Sequence, residues 1–211
     1  MKGLSMSRVV LASHNPGKLR ELGRMLAPLG ITLESAAALG LDAPDEGAPT
    51  FVENALIKAR YVAARSACAA IADDSGLVVP VLGGAPGVRS ARWAGPEGDD
   101  AANNAALVRS LRDVADRRAF YYCALVYLDA PDDPAPLIAT AAWHGEIVLE
   151  PRGTGGFGYD PYFLLPALGR TSAEISSSEK DRRSHRGQAV RALTDALRGR
   201  GSSLDGAEQM G

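Results

Sequence analysis

The apolar positions of the chain recur in two rhythms, one helical and one alternating or continuous, and the switch points lay out its elements. Arg8-Val9-Val10-Leu11-Ala12-Ser13 is a short β-branched run that predicts a strand. It enters the turn-forming cluster His14-Asn15-Pro16-Gly17-Lys18. Leu19, Leu22, Met25, Leu26 and Leu29 then repeat at spacings of three and four, a helix closed by Gly30. Asn15 suits the N-cap and Pro16 the first helical position. Residues 31–39 read as a second strand and its connection. Residues 42–49 form an acidic, Pro/Gly-rich loop carrying Asp42, Asp45 and Glu46. Thr50 and Glu53 have capping-box spacing and open an alanine-rich helix to about Cys68.

The middle of the chain holds its most unusual stretch, Ile71-Ala72-Asp73-Asp74-Ser75-Gly76-Leu77. An apolar run delivers two adjacent carboxylates to a strand end, and Ser-Gly is expected to turn the chain into a second run, Leu77-Val78-Val79. Adjacent carboxylates repel one another and persist together where a cation, a donor cluster or open water relieves the repulsion. A hard cation such as Mg²⁺ takes oxygen ligands and phosphates together. Taken alone, the stretch reads equally as a polar turn between strands.

Downstream, residues 83–87 are dense in turn chemistry, and residues 99–114 predict a helix with Leu107, Leu111 and Val114 on one face. Residues 119–128, 137–143 and 145–149 predict three strands of an antiparallel meander, with turns at 131–136 and at His144-Gly145. The mixture of βα units and hairpins predicts an α/β fold with a mixed sheet. Gly153-Thr154-Gly155-Gly156-Phe157-Gly158-Tyr159-Asp160-Pro161 carries four glycines in six positions, which lets a ligand or another backbone come close. In an extended segment Phe157 and Tyr159 would share a face and offer a stacking surface. Residues 179–188 are locally basic, and Ser184 as N-cap would place His185 and Arg186 in the first turn of a helix with Val190, Leu193 and Leu197 inward. Cations there oppose the helix dipole, which points to an anionic partner.

Composition narrows the class. In 211 residues, 46% are hydrophobic and 23% charged, ordinary for a soluble globular protein. The net charge of −2 offers no global basic field for nucleic acid, so any anion site must be local. Cys68 and Cys123 lie in apolar or aromatic runs and read as small core residues of a reducing, cytoplasmic setting. No apolar run approaches the ~18 residues of a membrane span. Residues 1–7 read as an N-terminal extension, residues 8–198 as one domain, and the Gly/Ser-rich residues 199–211 as a disordered tail.

The order of the short motifs is more specific than any one of them. Ser-x-Asn-x-Gly-Lys-x-x-Glu, Phe-x-Glu-Asn-Ala-x-x-Lys-Ala, Ala-Asp-Asp-Ser-Gly-Leu, Leu-Gly-Gly-Ala-Pro-Gly-Val-x-Ser-Ala-Arg, Gly-Phe-Gly-Tyr-Asp-Pro and Ser-His-Arg-Gly-x-Ala follow one another from Ser13 to Ala189. The chain thereby resembles the non-canonical purine nucleoside triphosphate pyrophosphatases, the inosine/xanthosine triphosphate pyrophosphatase family. The resemblance implies hydrolysis of ITP, dITP or XTP to the monophosphate and pyrophosphate, Mg²⁺ as cofactor and a homodimer. It also implies an elongated mixed sheet with flanking helices, in two lobes around a nucleotide-binding cleft. By matching position it assigns Ser13, His14, Asn15, Pro16, Gly17 and Lys18 to the triphosphate, and Glu46 and Asp74 to the metal. Asp74 becomes the catalytic acid/base, with Asp73 in support and Ser75 beside it. Phe157, Gly158, Tyr159, Asp160, Lys180, His185 and Arg186 become the nucleotide pocket. His14 and Pro16 depart from the family's usual glycine and small residue, and His14 adds a titratable group beside the phosphates.

Two other classes compete. A Maf-type pyrophosphatase for pyrimidine or modified nucleotides would share the broad fold, and Gly-Phe-Gly-Tyr-Asp-Pro with Ser-His-Arg-Gly argues against it. A nucleotide sensor without turnover has no need for Glu46, Asp73, Asp74 and Lys18 together.

Overall fold

The computed structural model describes residues 8–96 and 98–207. In chain order its elements are β1 (Arg8–Leu11), α1 (Pro16–Leu26), β2 (Thr32–Ser35), α2 (Phe51–Ser66), β3 (Ala69–Val78), α3 (Asp100–Leu111), β4 (Arg118–Leu128), β5 (Leu137–Ile147), β6 (Phe163–Leu165), β7 (Arg170–Thr171), α4 (Ser177–Arg183) and α5 (His185–Ala207). The seven strands form one sheet in the order β2-β1-β3-β4-β5-β6-β7. β1 runs parallel to β2 and β3, whereas β6 is antiparallel to both β5 and β7. The fold is therefore α/β with a mixed sheet, as the alternation of elements predicts.

By its contacts the chain divides into two units. One comprises Met1–Asp73, Ala124–Thr140 and Gln188–Gly211; the other comprises Asp74–Cys123 and Ala141–Gly187. In the first unit, Val9, Val10 and Leu11 of β1 are buried, and so are Leu22 and Leu26 of α1 and Ala55, Ala59, Val62 and Ala63 of α2. Both helices start as their caps dictate. Asn15 Oδ1 accepts from Gly17 N at 2.8 Å and Lys18 N at 3.2 Å, and Thr50 Oγ1 accepts from Glu53 N at 3.3 Å. These bonds satisfy amides that the first helical turn leaves without partners. The second unit has its own cluster of Leu77, Val79, Leu107, Leu111, Tyr121, Trp143, Ile147, Tyr159 and Phe163.

Two expected turns are strand interior. β3 runs unbroken from Ala69 to Val78, so the acidic pair lies inside a strand, not at its end, and Ser75-Gly76 does not turn the chain. β5 likewise passes through His144-Gly145 without a break. A Cβ at Gly145 would run into the Leu164 carbonyl and the Phe163 ring of β6. The glycine there permits close approach of a neighbouring strand. The meander's third strand is consequently β6, further along the chain. At the C-terminus α5 continues to Ala207, past the point where a disordered tail was expected. Arg200 of that helix meets Asp129 at 2.7 Å, Asp133 at 3.5 Å and the Ala135 carbonyl, which holds this turn of α5 against the β4–β5 connection. Residues 208–211 and 1–7 lie outside the described residues. Among the described residues no helix is long and apolar enough to cross a membrane.

Candidate active site

The first group of site residues grows from the capped start of α1. The connection from β1 folds on itself: Ser13 Oγ accepts from Asn15 N at 3.1 Å, and Asn15 caps the helix through Gly17 and Lys18. The amides of this first turn are taken up by Asn15, so what the helix start offers an anion is its dipole and the Lys18 charge. Pro16 opens α1 without needing a donor, and Gly17 is buried. Lys18 does not simply wait in solvent. Its Nζ lies 2.6 Å from Asp73 Oδ1 and 3.3 Å from the Asp73 carbonyl.

A second lysine converges on the same residue. Lys58, on α2, is 6% exposed and donates to the Asp73 carbonyl at 3.0 Å and to Glu46 at 3.4 Å. Sequence reasoning quoted Lys58 within a motif and gave it no role. Its signal was its phase: Ala55, Ala59 and Val62 form the buried face of α2, and Lys58 falls on that face at helical spacing. A lysine there must be paired to be tolerated.

The acidic loop is fastened at three points. Asn54 holds Ala48 through both its backbone groups, at 3.1 and 3.0 Å, Lys58 holds Glu46, and His14 Nε2 lies 2.8 Å from the Leu41 carbonyl. Glu46 keeps about a fifth of its side chain exposed, at 22%, and so remains within reach of a ligand. His14, expected beside the phosphates, thus also reaches the Leu41 carbonyl just ahead of the acidic loop.

On β3 the two acids face opposite sides of the sheet, as adjacent strand residues must. Both are buried, Asp73 at 1% and Asp74 at 5%. The pair is unequal: Asp73 is tied up by Lys18, which makes it a holder of lysine.

The second group belongs to the other unit and centres on Asp160. Its Oδ2 accepts from Lys180 Nζ at 2.6 Å and from Phe157 N at 2.9 Å, and its Oδ1 accepts from Ser172 Oγ at 2.8 Å. A carboxylate 2% exposed with this many donors is a scaffold for Lys180 and the Phe157 loop. Gly156 allows that knot, because a Cβ there would overlap Asp160 Oδ2, and Gly153 and Gly155 press against the Ala173 backbone. The glycine-dense segment is thus close-packed on its own protein. Gly158 is tied at both backbone groups to α3, to Asp100 at 2.7 Å and Asn104 at 2.9 Å.

The segment is a series of turns, not an extended strand, so Phe157 and Tyr159 part company. Tyr159 enters the core and donates its hydroxyl to the Ser90 carbonyl at 2.8 Å; burial pushes its pKa up, and Asp100 adds to the shift. Phe157 stays half-buried, with Lys180 Nζ 5.0 Å and the Arg186 guanidinium 5.9 Å from its ring centre. His185 and Arg186 open α5 as expected, with Ser184 Oγ accepting from Gly187 N at 3.1 Å. Both are buried, and Arg186 donates to Ser75 Oγ at 2.9 Å. The short helix α4, which presents Lys180, was not legible as an element.

Fold and motif order together define an α/β protein of the Ham1 family. The model of that family matches residues 9–196, and the chain belongs to it. Among its relatives is the dITP/XTP pyrophosphatase of Ralstonia nicotianae, 55% identical over 197 residues, which are 92% of this chain and 98% of the relative. That of Escherichia coli K12 is 50% identical over 195 residues, 92% and 99% of the two chains. Among solved structures, a HAM1 protein from Coxiella burnetii matches with a TM-score of 0.85 at 42% identity, covering 92% of this chain and 99% of that one. A nucleoside-triphosphatase described as a dITP/XTP pyrophosphatase from Mycobacterium abscessus matches with 0.70 at 43% identity, covering 88% and 98%.

Proposed function

We propose that this protein hydrolyses hypoxanthine and xanthine nucleoside triphosphates (dITP, ITP, XTP) to the monophosphate and pyrophosphate, as a cytoplasmic homodimer. The observation that carries the chemistry is the convergence of Lys18 and Lys58 on Asp73, one residue along β3 from the buried Asp74. Two ammonium groups suit a triphosphate, and a carboxylate on the same strand suits a proton acceptor.

In this reading Ser13 to Lys18 and Lys58 hold the phosphates. Asp74 takes the proton of a water that attacks the α-phosphorus. The bond from that phosphorus to the bridging oxygen breaks, and pyrophosphate leaves. Asp73 keeps Lys18 in place. Glu46 and Asp74 fit Mg²⁺ in donor type: both offer hard oxygens, and Mg²⁺ needs only one or two carboxylates when phosphates complete its shell. Bound there, the ion would neutralise phosphate charge and acidify water.

Phe157 stacks on the purine, while His185, Arg186 and Lys180 present donors. Hypoxanthine and xanthine carry an acceptor oxygen where adenine carries an amino donor. Adenine would leave buried donors unmatched, at about 1–3 kcal/mol each. Hydrolysis of ITP in H₂¹⁸O tests the reaction itself: attack at the α-phosphorus puts the label in the monophosphate. Label in the pyrophosphate would overturn it.

A further inference from the structure

Tyr121 has no role in anything described so far, yet it touches both arms of the proposed purine reader. It lies on β4 and is buried. Its ring lies nearly parallel to the His185 imidazole, 4.8 Å between centres and 9° between planes. Phe163 packs against the Tyr121 ring with 4.6 Å between centres, and Trp143 lies 6.4 Å from His185 at 21°. The Tyr121 hydroxyl points at Asp160 Oδ1, 3.5 Å away, the carboxylate that holds Lys180 and the Phe157 amide. Burial, with the Asp160 charge second, drives the phenol's pKa well up, so it stays a donor throughout the working pH range.

We propose that Tyr121 is a positioning residue for purine recognition: its ring sets the plane of the His185 imidazole. This rests on the reading of His185 as a base donor. Hydrogen bonds to a base edge lose strength steeply as the donor leaves the plane. A flat ring stacked on the imidazole is therefore a direct means of holding selectivity, and parallel aromatic pairs at this separation are attractive. A tyrosine serving only as core filling would affect stability and leave the choice of base alone.

The test uses the full-length protein with Mg²⁺ and compares Tyr121→Leu with Tyr121→Phe. Tyr121→Leu removes the stack and is expected to raise KM for ITP about tenfold, to leave kcat within about threefold, and to cut the ITP-over-ATP ratio of kcat/KM about tenfold. Tyr121→Phe keeps the ring and should hold that ratio within about threefold. A Tyr121→Leu protein that melts lower while its ratio is unchanged overturns the proposal. Histidine ring NMR supplies a second reading, with signals assigned through His14→Gln and His144→Gln. The His185 ring protons should show an upfield ring-current shift that persists in Tyr121→Phe and is lost in Tyr121→Leu. If Tyr121→Leu does not fold, Tyr121→Phe decides: a tenfold loss of ratio with the ring-current shift intact overturns the proposal, and a retained ratio upholds the stack. A wild-type protein that treats ITP and ATP alike would instead defeat the underlying functional reading.

Discussion

The phosphate-side residues and the purine-side residues are built in opposite ways. The first group is made of local devices near the surface: a capped helix start, a short turn and a pinned acidic loop. Ser13 and Asn15 need only their neighbours to adopt their geometry, and only the Lys18 ammonium reaches further, to Asp73. The second group is assembled from distant parts of the chain and is almost wholly buried. Lys180 depends on Asp160, twenty residues away, and Arg186 on Ser75, 111 residues away. In the proposed reading the contrast follows from what each group recognises. Phosphate charge is read by point charges that tolerate some play. A base edge is read by donors whose planes must be held, so they are packed and tied.

Substitutions should separate the two groups by what they change. The largest effect is expected at Asp74. Asp74→Asn should lower kcat by roughly 10³ or more, within the range of a lost general base, with the melting temperature and nucleotide binding largely kept. Steady-state rates beside a binding isotherm check this, and a near-normal kcat would remove Asp74 from the chemistry. Next comes Lys58→Met, which keeps the buried stem and removes the charge. The kcat/KM should fall about 10- to 100-fold for ITP and ATP alike, since charge-assisted contacts are worth about 1.5–3 kcal/mol and both substrates carry the same phosphates. A change in the ITP-over-ATP ratio would break the division between the groups. The smallest is Phe157→Ala: KM for ITP should rise about tenfold at nearly constant kcat, from the loss of base stacking. An unchanged KM would take Phe157 off the purine.

The same contrast governs what was legible beforehand. The cap of α1, the Thr50–Glu53 start of α2 and the motif order could be read directly, because they rest on interactions over three or four residues. Gly76 and Gly145 misled, since a glycine that permits close strand packing looks like one that turns the chain. Tyr159 could not be told from Phe157 by alternation, because the glycines around them replace the strand by turns. Lys58 was visible as a charge on an inward face but had no partner until Glu46 and the Asp73 carbonyl were in place. Tyr121 looked like any core aromatic until His185, 64 positions later, lay parallel to it. The extension of α5 through a Gly/Ser-rich segment rests on Arg200 meeting acids of the β4–β5 connection, a contact across 67 to 71 residues.

The roles proposed for the two carboxylates and for the buried purine-side residues meet in one quantity, the selectivity of α-phosphorus hydrolysis. It is measured most directly by kcat/KM for dITP, ITP, XTP, GTP and ATP with Mg²⁺, quantifying pyrophosphate and orthophosphate together. The expected result is pyrophosphate as the initial product and a preference for ITP over ATP on the order of 10² or more. Equal rates on ITP and ATP, or orthophosphate released first, would contradict it.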